Sequence, residues 1–139
     1  MKATVEWTGE AGFKAVADSG HAIQMDGPPD HGGRNQGARP MELVLMGMGG
    51  CASFDVVHIL RKSRQDVTGC RAEIEAERAQ TEPRVFTRIH LHFILSGNKL
   101  DPAKVERAVV LSAEKYCSAS IMLGKTANIT HDFEMLPSA

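Results

Sequence analysis

The chain predicts a single α+β domain spanning residues 1–139. Three observations lead there. Its strand-like segments come in groups instead of alternating one by one with helices, in the order βββ-α-ββ-α-α-β. One long segment, Leu43 to Leu60, is apolar on almost every side, the pattern of a helix buried all round. Two later segments alternate apolar and polar residues, as half-buried antiparallel strands do.

Each element has its own signal. Residues 3–8 alternate, with Ala3, Val5 and Trp7 on one face. After the turn at Glu10-Ala11-Gly12, Phe13 to Val16 and His21 to Met25 read as two short strands around Asp18-Ser19-Gly20. Residues 26–38 are dense in Gly, Pro, Asn and Asp and form a loop. Pro40 opens a helix over about residues 41–63, since Pro suits the first helical position and Arg61-Lys62-Ser63-Arg64 suits its C-terminal end. Gly47, Gly49 and Gly50 inside it each cost ~1 kcal/mol relative to Ala, which a closely packed second backbone would offset.

In the next strand Cys70, Ala72, Ile74 and Ala76 face one way, and Arg71, Glu73, Glu75 and Glu77 the other. Thr81-Glu82-Pro83 turns the chain into its partner. There Val85, Ile89, Leu91, Phe93 and Leu95 share a face opposite Arg88, His90 and His92. Asp101-Pro102 starts a second helix as N-cap and first residue, with Val105, Ala108, Val109, Ser112 and Tyr116 as its inner stripe. A break follows Cys117, then the short apolar turn Ile121 to Gly124 and a final strand, Thr126 to Met135.

Composition excludes several classes of function. A net charge of −1, with both signs dispersed and no basic stripe, sets nucleic acid aside as a partner. The N-terminal segment has no apolar core of the secretory type, and no unbroken apolar run nears the ~18 residues of a membrane span. These features predict a cytosolic protein without a membrane partner. The cysteine count is odd, 3, and neither CxxC nor a zinc-finger spacing occurs, so a structural disulfide framework and a zinc ribbon are both unexpected. A helix apolar on all sides is hard to bury in so small a chain, and a dimer sharing such helices would bury it.

Three features resemble the OsmC/Ohr family, the osmotically induced and organic-hydroperoxide-resistance proteins. Pro40-Met41-Glu42-Leu43-Val44-Leu45-Met46-Gly47-Met48-Gly49-Gly50-Cys51 is similar to the family's first-cysteine helix. Glu114-Lys115-Tyr116-Cys117-Ser118-Ala119-Ser120 is similar to its second-cysteine helix. The order of elements matches over essentially the whole chain. Met-Glu-Leu-Val-Leu-Met before the first cysteine resembles the YhfA-type, OsmC-like branch.

The resemblance implies an intertwined homodimer of the OsmC/Ohr-like fold, with antiparallel sheets wrapped around central helices. It implies a thiol-dependent peroxidase in which Cys51 attacks an organic hydroperoxide and Cys117 resolves the oxidised thiol as a disulfide. The partners would be a small apolar hydroperoxide and a dithiol reductant, and no metal, haem or flavin is implied.

The family's catalytic Glu directly follows Pro, whereas here Met41 takes that place and Glu42 comes one residue later. The family's hairpin Arg is replaced by Glu10-Ala11-Gly12-Phe13-Lys14. Glu42 and Arg39 are the nearest candidates to hold the charge at the site. Leu43, Met46, Met48 and Met122 are candidates for an apolar substrate pocket, or equally for core packing.

Other residues invite chemistry but have plainer readings. Asp55 and His58 share the helical face of Cys51, as a Cys–His pair would, or as a polar seam between helices. His90 and His92 form an HxH on one strand face, a metal pair or simply a solvated face. Cys70 reads as core filling. The rival functional reading is a dimeric protein with an apolar pocket or a thiol sensor, either of which uses the same fold without turnover.

Overall fold

The structure, a computed structural model, describes residues 1–137, which form two compact units, Met1–Met46 and the chain from Gly47 onward. In the first unit β1 (Ala3–Gly9), β2 (Gly12–Ala17) and β3 (Ala22–Met25) make an antiparallel sheet in that order. The β1–β2 turn is closed by the Trp7 indole, whose Nε1–H donates to the Glu10 carbonyl at 2.9 Å. Trp7 remains 66% exposed, and Val5, Phe13 and Ile23 of the same sheet are also exposed.

The breaker-rich loop is more ordered than its composition suggests. It contains a 3₁₀ turn at Pro29–His31 and is gathered around buried Asp26. The Asp26 carboxylate accepts the backbone N–H groups of Gly27, Arg34 and Gln36 at 2.7, 3.3 and 3.2 Å. Those bonds, led by that of Gly27, hold its carboxyl below the usual range.

Helix α1 runs Pro40–Lys62, beginning in the first unit and ending in the second. It is not buried all round. Only Met48, Gly49, Ala52, Val56 and Leu60 are buried, a stripe with the i, i+4 spacing of one helical face. Val44, Met46 and Phe54 are open to solvent, Phe54 at 69%. By length and composition alone α1, 23 residues long with an 18-residue window of mean hydropathy 1.7, could cross a membrane, although charged residues interrupt its apolar run. Its buried stripe belongs to a protein core. The glycines differ from one another as well: Gly49 packs against the Ile74 side chain, whereas Gly47 and Gly50 have open space where a Cβ would stand.

The second unit is built on a sheet of β4 (Asp66–Arg78), β5 (Phe86–Asn98) and β6 (Asn128–Pro137), in that order. The β4–β5 register pairs Ala72 with Phe93 and Ile74 with Leu91 on the inner face, and Glu73 with His92 and Glu75 with His90 on the outer. An irregularity at Arg78↔Phe86 rotates the strand end, so Phe86 is buried there and Val85 is exposed, the reverse of what strict alternation predicted.

The last strand pairs with β5 in parallel, so this sheet is mixed and not purely antiparallel. The reason is the connection. α2 (Pro102–Leu111), a π-helical turn (Ser112–Tyr116) and α3 (Ser118–Leu123) carry the chain back, as a parallel crossover must. Asp101 caps α2 as expected, its carboxylate accepting the Ala103 N–H at 3.0 Å. Ile89, Leu91, Phe93 and Leu95, together with Val105, Ala108 and Val109, complete the core. Each large side chain buried there contributes about 1.5–3 kcal/mol relative to exposure.

Candidate functional site

The two cysteines of the paired motifs meet within the second unit. Cys51 lies on α1, and Asp55 follows one turn later on the same face. Cys117 arrives from the other side of the sequence by a specific device. At Ser112 the helix widens into a π turn, where the Cys117 N–H donates to the Ser112 carbonyl at 2.8 Å. The buried Ser112 hydroxyl donates to the Ala52 carbonyl at 3.0 Å, tying that turn to α1 beside Cys51. Cys117 itself is extended (φ −74°, ψ 102°) and separates the turn from α3, which is the break its sequence predicts.

The result is a compact cluster. Sγ of Cys51, Sγ of Cys117 and a carboxylate oxygen of Asp55 all lie within 4.8 Å of one another. Cys117 is fully buried, and its sulfur accepts from the N–H and the hydroxyl of Ser120 at 3.3 and 3.1 Å. Burial pushes the Cys117 thiol up, the two Ser120 bonds pull it back, and the neighbouring Cys51 pushes it further up. Burial also pushes the Asp55 carboxyl up, with His58 opposing. Asp55 Oδ2 is buried and has no hydrogen-bond partner among the described residues. A bond between the two sulfurs needs them to close from within 4.8 Å to about 2.05 Å.

The other sequence candidates have surroundings of their own. Arg39, Glu42, Leu43 and Met46 belong to the first unit. The Arg39 guanidinium donates to Asn35 Oδ1 and to the Gly37 carbonyl at 2.6 and 3.1 Å, while Glu42 accepts the backbone N–H of Arg39 at 2.8 Å. Glu42 thus reaches back to the start of its own helix, as a capping residue does. Leu43 is half-buried and Met46 exposed. Met48 is a fully buried core side chain, and Met122 is 69% exposed on α3.

His58 does not join the thiols. Its ring stacks on Phe54 with centroids 5.8 Å apart. Cys70 is separate too, half-buried at an open groove of about 690 Å³ lined also by Phe54, Val57, His58 and Arg61. Burial raises its thiol pKa against a hydrogen bond with Ser53.

Sequence reasoning missed the parts of the cluster that are not cysteines. Asp55 carried the right spacing but was read with His58 as a seam or a Cys–His pair. Ser112 was visible only as part of an inner helical stripe and Ser120 only as the end of the second-cysteine motif, because their bonds depend on how the chain turns around Cys117.

His90 and His92 instead form a network on the outer face of the sheet. The Asp132 carboxylate lies 3.0 Å from His90 Nε2 and 2.6 Å from His92 Nδ1, and Thr130 Oγ1 lies 2.6 Å from His90 Nδ1. The hydrogen bond to Asp132 raises the His92 pKa, and the same bond lowers that of Asp132.

Comparison with known proteins agrees with this architecture. Residues 32–132 match the family model for OsmC-like proteins. Protein YhfA of Escherichia coli K12 is 48% identical over 136 residues, 98% of each chain. A crystal structure of a hypothetical protein from Aquifex aeolicus VF5 superposes with a TM-score of 0.86 at 30% identity, covering 99% of this chain and 97% of that one. The organic hydroperoxide resistance protein OhrB of Bacillus subtilis has the same fold at 17% identity, with a TM-score of 0.65 over 96% of both chains. The matched motif helices, the two grouped sheets and the near full-length relatives together make this chain a member of the OsmC-like family.

Proposed function

We propose that this protein is a thiol-dependent peroxidase acting on organic hydroperoxides in oxidative-stress defence. The observation that supports this most is the approach of the Cys51 and Cys117 sulfurs to within 4.8 Å. The Cys51 thiolate attacks the O–O bond. The distal alkoxide leaves and takes a proton as the alcohol, and Cys51 becomes a sulfenic acid. The Cys117 thiol then condenses with it, a disulfide forms and water leaves. A dithiol reductant returns two electrons and two protons. A reducing compartment such as the cytosol would keep the pair ready. The working unit in this reading is a homodimer, in which the exposed apolar side chains of α1 are covered by a second copy.

One observation favours the second reading, a non-catalytic binding protein or a thiol sensor. The Arg39 guanidinium and a Glu42 carboxylate oxygen are held by hydrogen bonds within their own loop and helix start. The experiment is mass spectrometry after one equivalent of cumene hydroperoxide, with wild type, Cys51→Ser and Cys117→Ser in parallel, followed by turnover with a small dithiol. The peroxidase reading expects a Cys51–Cys117 disulfide in wild type, a sulfenic acid in Cys117→Ser, and no reaction in Cys51→Ser. A disulfide that forms once without sustained turnover would favour the sensor. No disulfide at all would leave the binding protein.

A further inference from the structure

We propose that the reduced protein binds one thiophilic divalent cation, of the zinc type, through Cys51, Cys117 and Asp55. Among the described residues, theirs is the one group of at least three His, Cys, Asp or Glu side chains whose ligand atoms lie close enough together to share an ion. The donors come from two elements that the Ser112–Ala52 hydrogen bond locks together, so the site is preformed. Cys51 and Asp55 stand one helical turn apart, a spacing that puts two ligands on one side of a metal.

Three features of the cluster fit a cation better than an empty polar niche. First, a buried carboxylate oxygen of Asp55 has no hydrogen-bond donor among the described residues. Leaving such an atom unpaired costs about 1–3 kcal/mol, and a metal-ligand bond at the same carboxylate would offset that. Second, the Cys117 sulfur already accepts two hydrogen bonds from Ser120, the outer-shell support that orients a metal-bound thiolate. Third, two sulfurs and a carboxylate so close together cannot all ionise without a compensating positive charge. A divalent cation supplies it.

The donor set defines the cation. Two thiolates select soft or borderline metals and disfavour magnesium and calcium. With Zn–S bonds of about 2.3 Å, tetrahedral geometry puts the two sulfurs ~3.8 Å apart, within reach of small side-chain rotations. Three protein donors leave a fourth position for water or a small thiol, as in open zinc sites. Each thiol gives up its proton to solvent as its sulfur bonds the metal, so affinity rises with pH. The metal and the disulfide use the same two sulfurs and exclude each other. The cation would therefore cap the dithiol, and oxidation would release it.

The proposal concerns a separate activity and does not require hydroperoxide turnover. Its test is titration of the reduced full-length protein with Cd²⁺, read by the thiolate-to-metal charge-transfer band, and with Zn²⁺ in competition with a chromophoric chelator. One equivalent per chain is expected, with Cys51 and Cys117 shielded from alkylation by the bound metal and Cys70 unshielded. Cys70→Ser should bind as wild type does. Asp55→Asn removes a charged direct ligand and should weaken binding at least as much as losing an outer-shell partner does, about 10–100-fold, with an unchanged far-ultraviolet circular dichroism spectrum. The alkylation pattern of the wild type decides the matter even if a variant fails to fold.

Absence of the charge-transfer band in reduced wild type would overturn the proposal. So would shielding of Cys70 in place of the other two, or wild-type affinity in Asp55→Asn. Disulfide formation by hydroperoxide is followed separately by mass. A protein that forms the disulfide but binds no metal sinks this proposal alone, and one that binds metal but never forms the disulfide sinks the peroxidase reading alone.

Discussion

At the scale of single residues, the chemistry turns on what surrounds two sulfurs. Cys117 is fully buried, and its thiol is pushed up by that burial while the Ser120 N–H and hydroxyl work the other way. Removing the hydroxyl takes away one of the bonds that favour the thiolate. Ser120→Ala should therefore raise the pH at which Cys117 ionises, seen as a shift of its thiolate absorbance to higher pH in a Cys70→Ser background; an unchanged titration would mean that the hydroxyl bond does not act on the sulfur. Both cysteines were legible in the sequence because motif and spacing marked them. Asp55 was only half legible, since its place one turn after Cys51 was visible but not the arrival of Cys117 beside it. Arg39 and Glu42 make local bonds that the resemblance does not foretell. A Glu three residues after an exposed backbone N–H can satisfy that N–H, and here it does.

At the scale of elements, most boundaries were legible where a chemical stop marked them. Asp101-Pro102 starting α2 is an example, and within β4 the alternation from Cys70 to Glu77 was equally plain. The parallel pairing of β6 was not, because a strand's own pattern does not carry the direction of its neighbour. Close packing of the sheet edge also depends on neighbours. At Gly97 an added Cβ would stand 2.2 Å from the Asp66 carbonyl oxygen and 2.8 Å from Leu100. Gly97→Ala should destabilise the protein by about 1–3 kcal/mol in chemical denaturation. A change of a few tenths would show that the strand ends separate easily.

The outer face of β5 and β6 predicts a pH dependence. His92 is raised chiefly by its bond to Asp132, with Glu134 and Glu73 adding to it, so its contribution is fully present below the unfolded imidazole value of about 6.5 and is lost as pH rises through the folded value. Asp132 is lowered chiefly by His92, so its contribution is present above about 3.9 and is lost as pH falls. Asp132→Asn should therefore cost more stability at pH 5.5 than at pH 8.5, values about one unit below and two above that imidazole value. Equal losses at both would remove the ionic part of this network.

At the scale of the whole molecule, the α+β class was readable from the grouping of strands, and the all-round apolar character of α1 was read correctly as composition. What composition does not reveal is how much of that surface one chain can bury by itself. The answer is a single stripe, Met48, Ala52, Val56 and Leu60, with Gly49 beside it. Met46 at 56% and Phe54 at 69% remain open, and Gly47 and Gly50 leave room for something to approach closely. Exposed apolar side chains of this kind are what association sites present. The occupant expected here is a second copy, which would cover the exposed apolar residues Val5, Trp7 and Ile23 of the first sheet as well. The expectation is an obligate homodimer whose unfolding midpoint rises with protein concentration, because dimerisation acts by mass action. Phe54→Glu should shift the protein toward monomer in sedimentation equilibrium and lower that midpoint, while Lys2→Gln, the same one-unit loss of charge at an exposed position before β1, should do neither. A wild-type chain that sediments as a folded monomer at every concentration, with a constant midpoint, would mean that the open face of α1 serves something other than self-association.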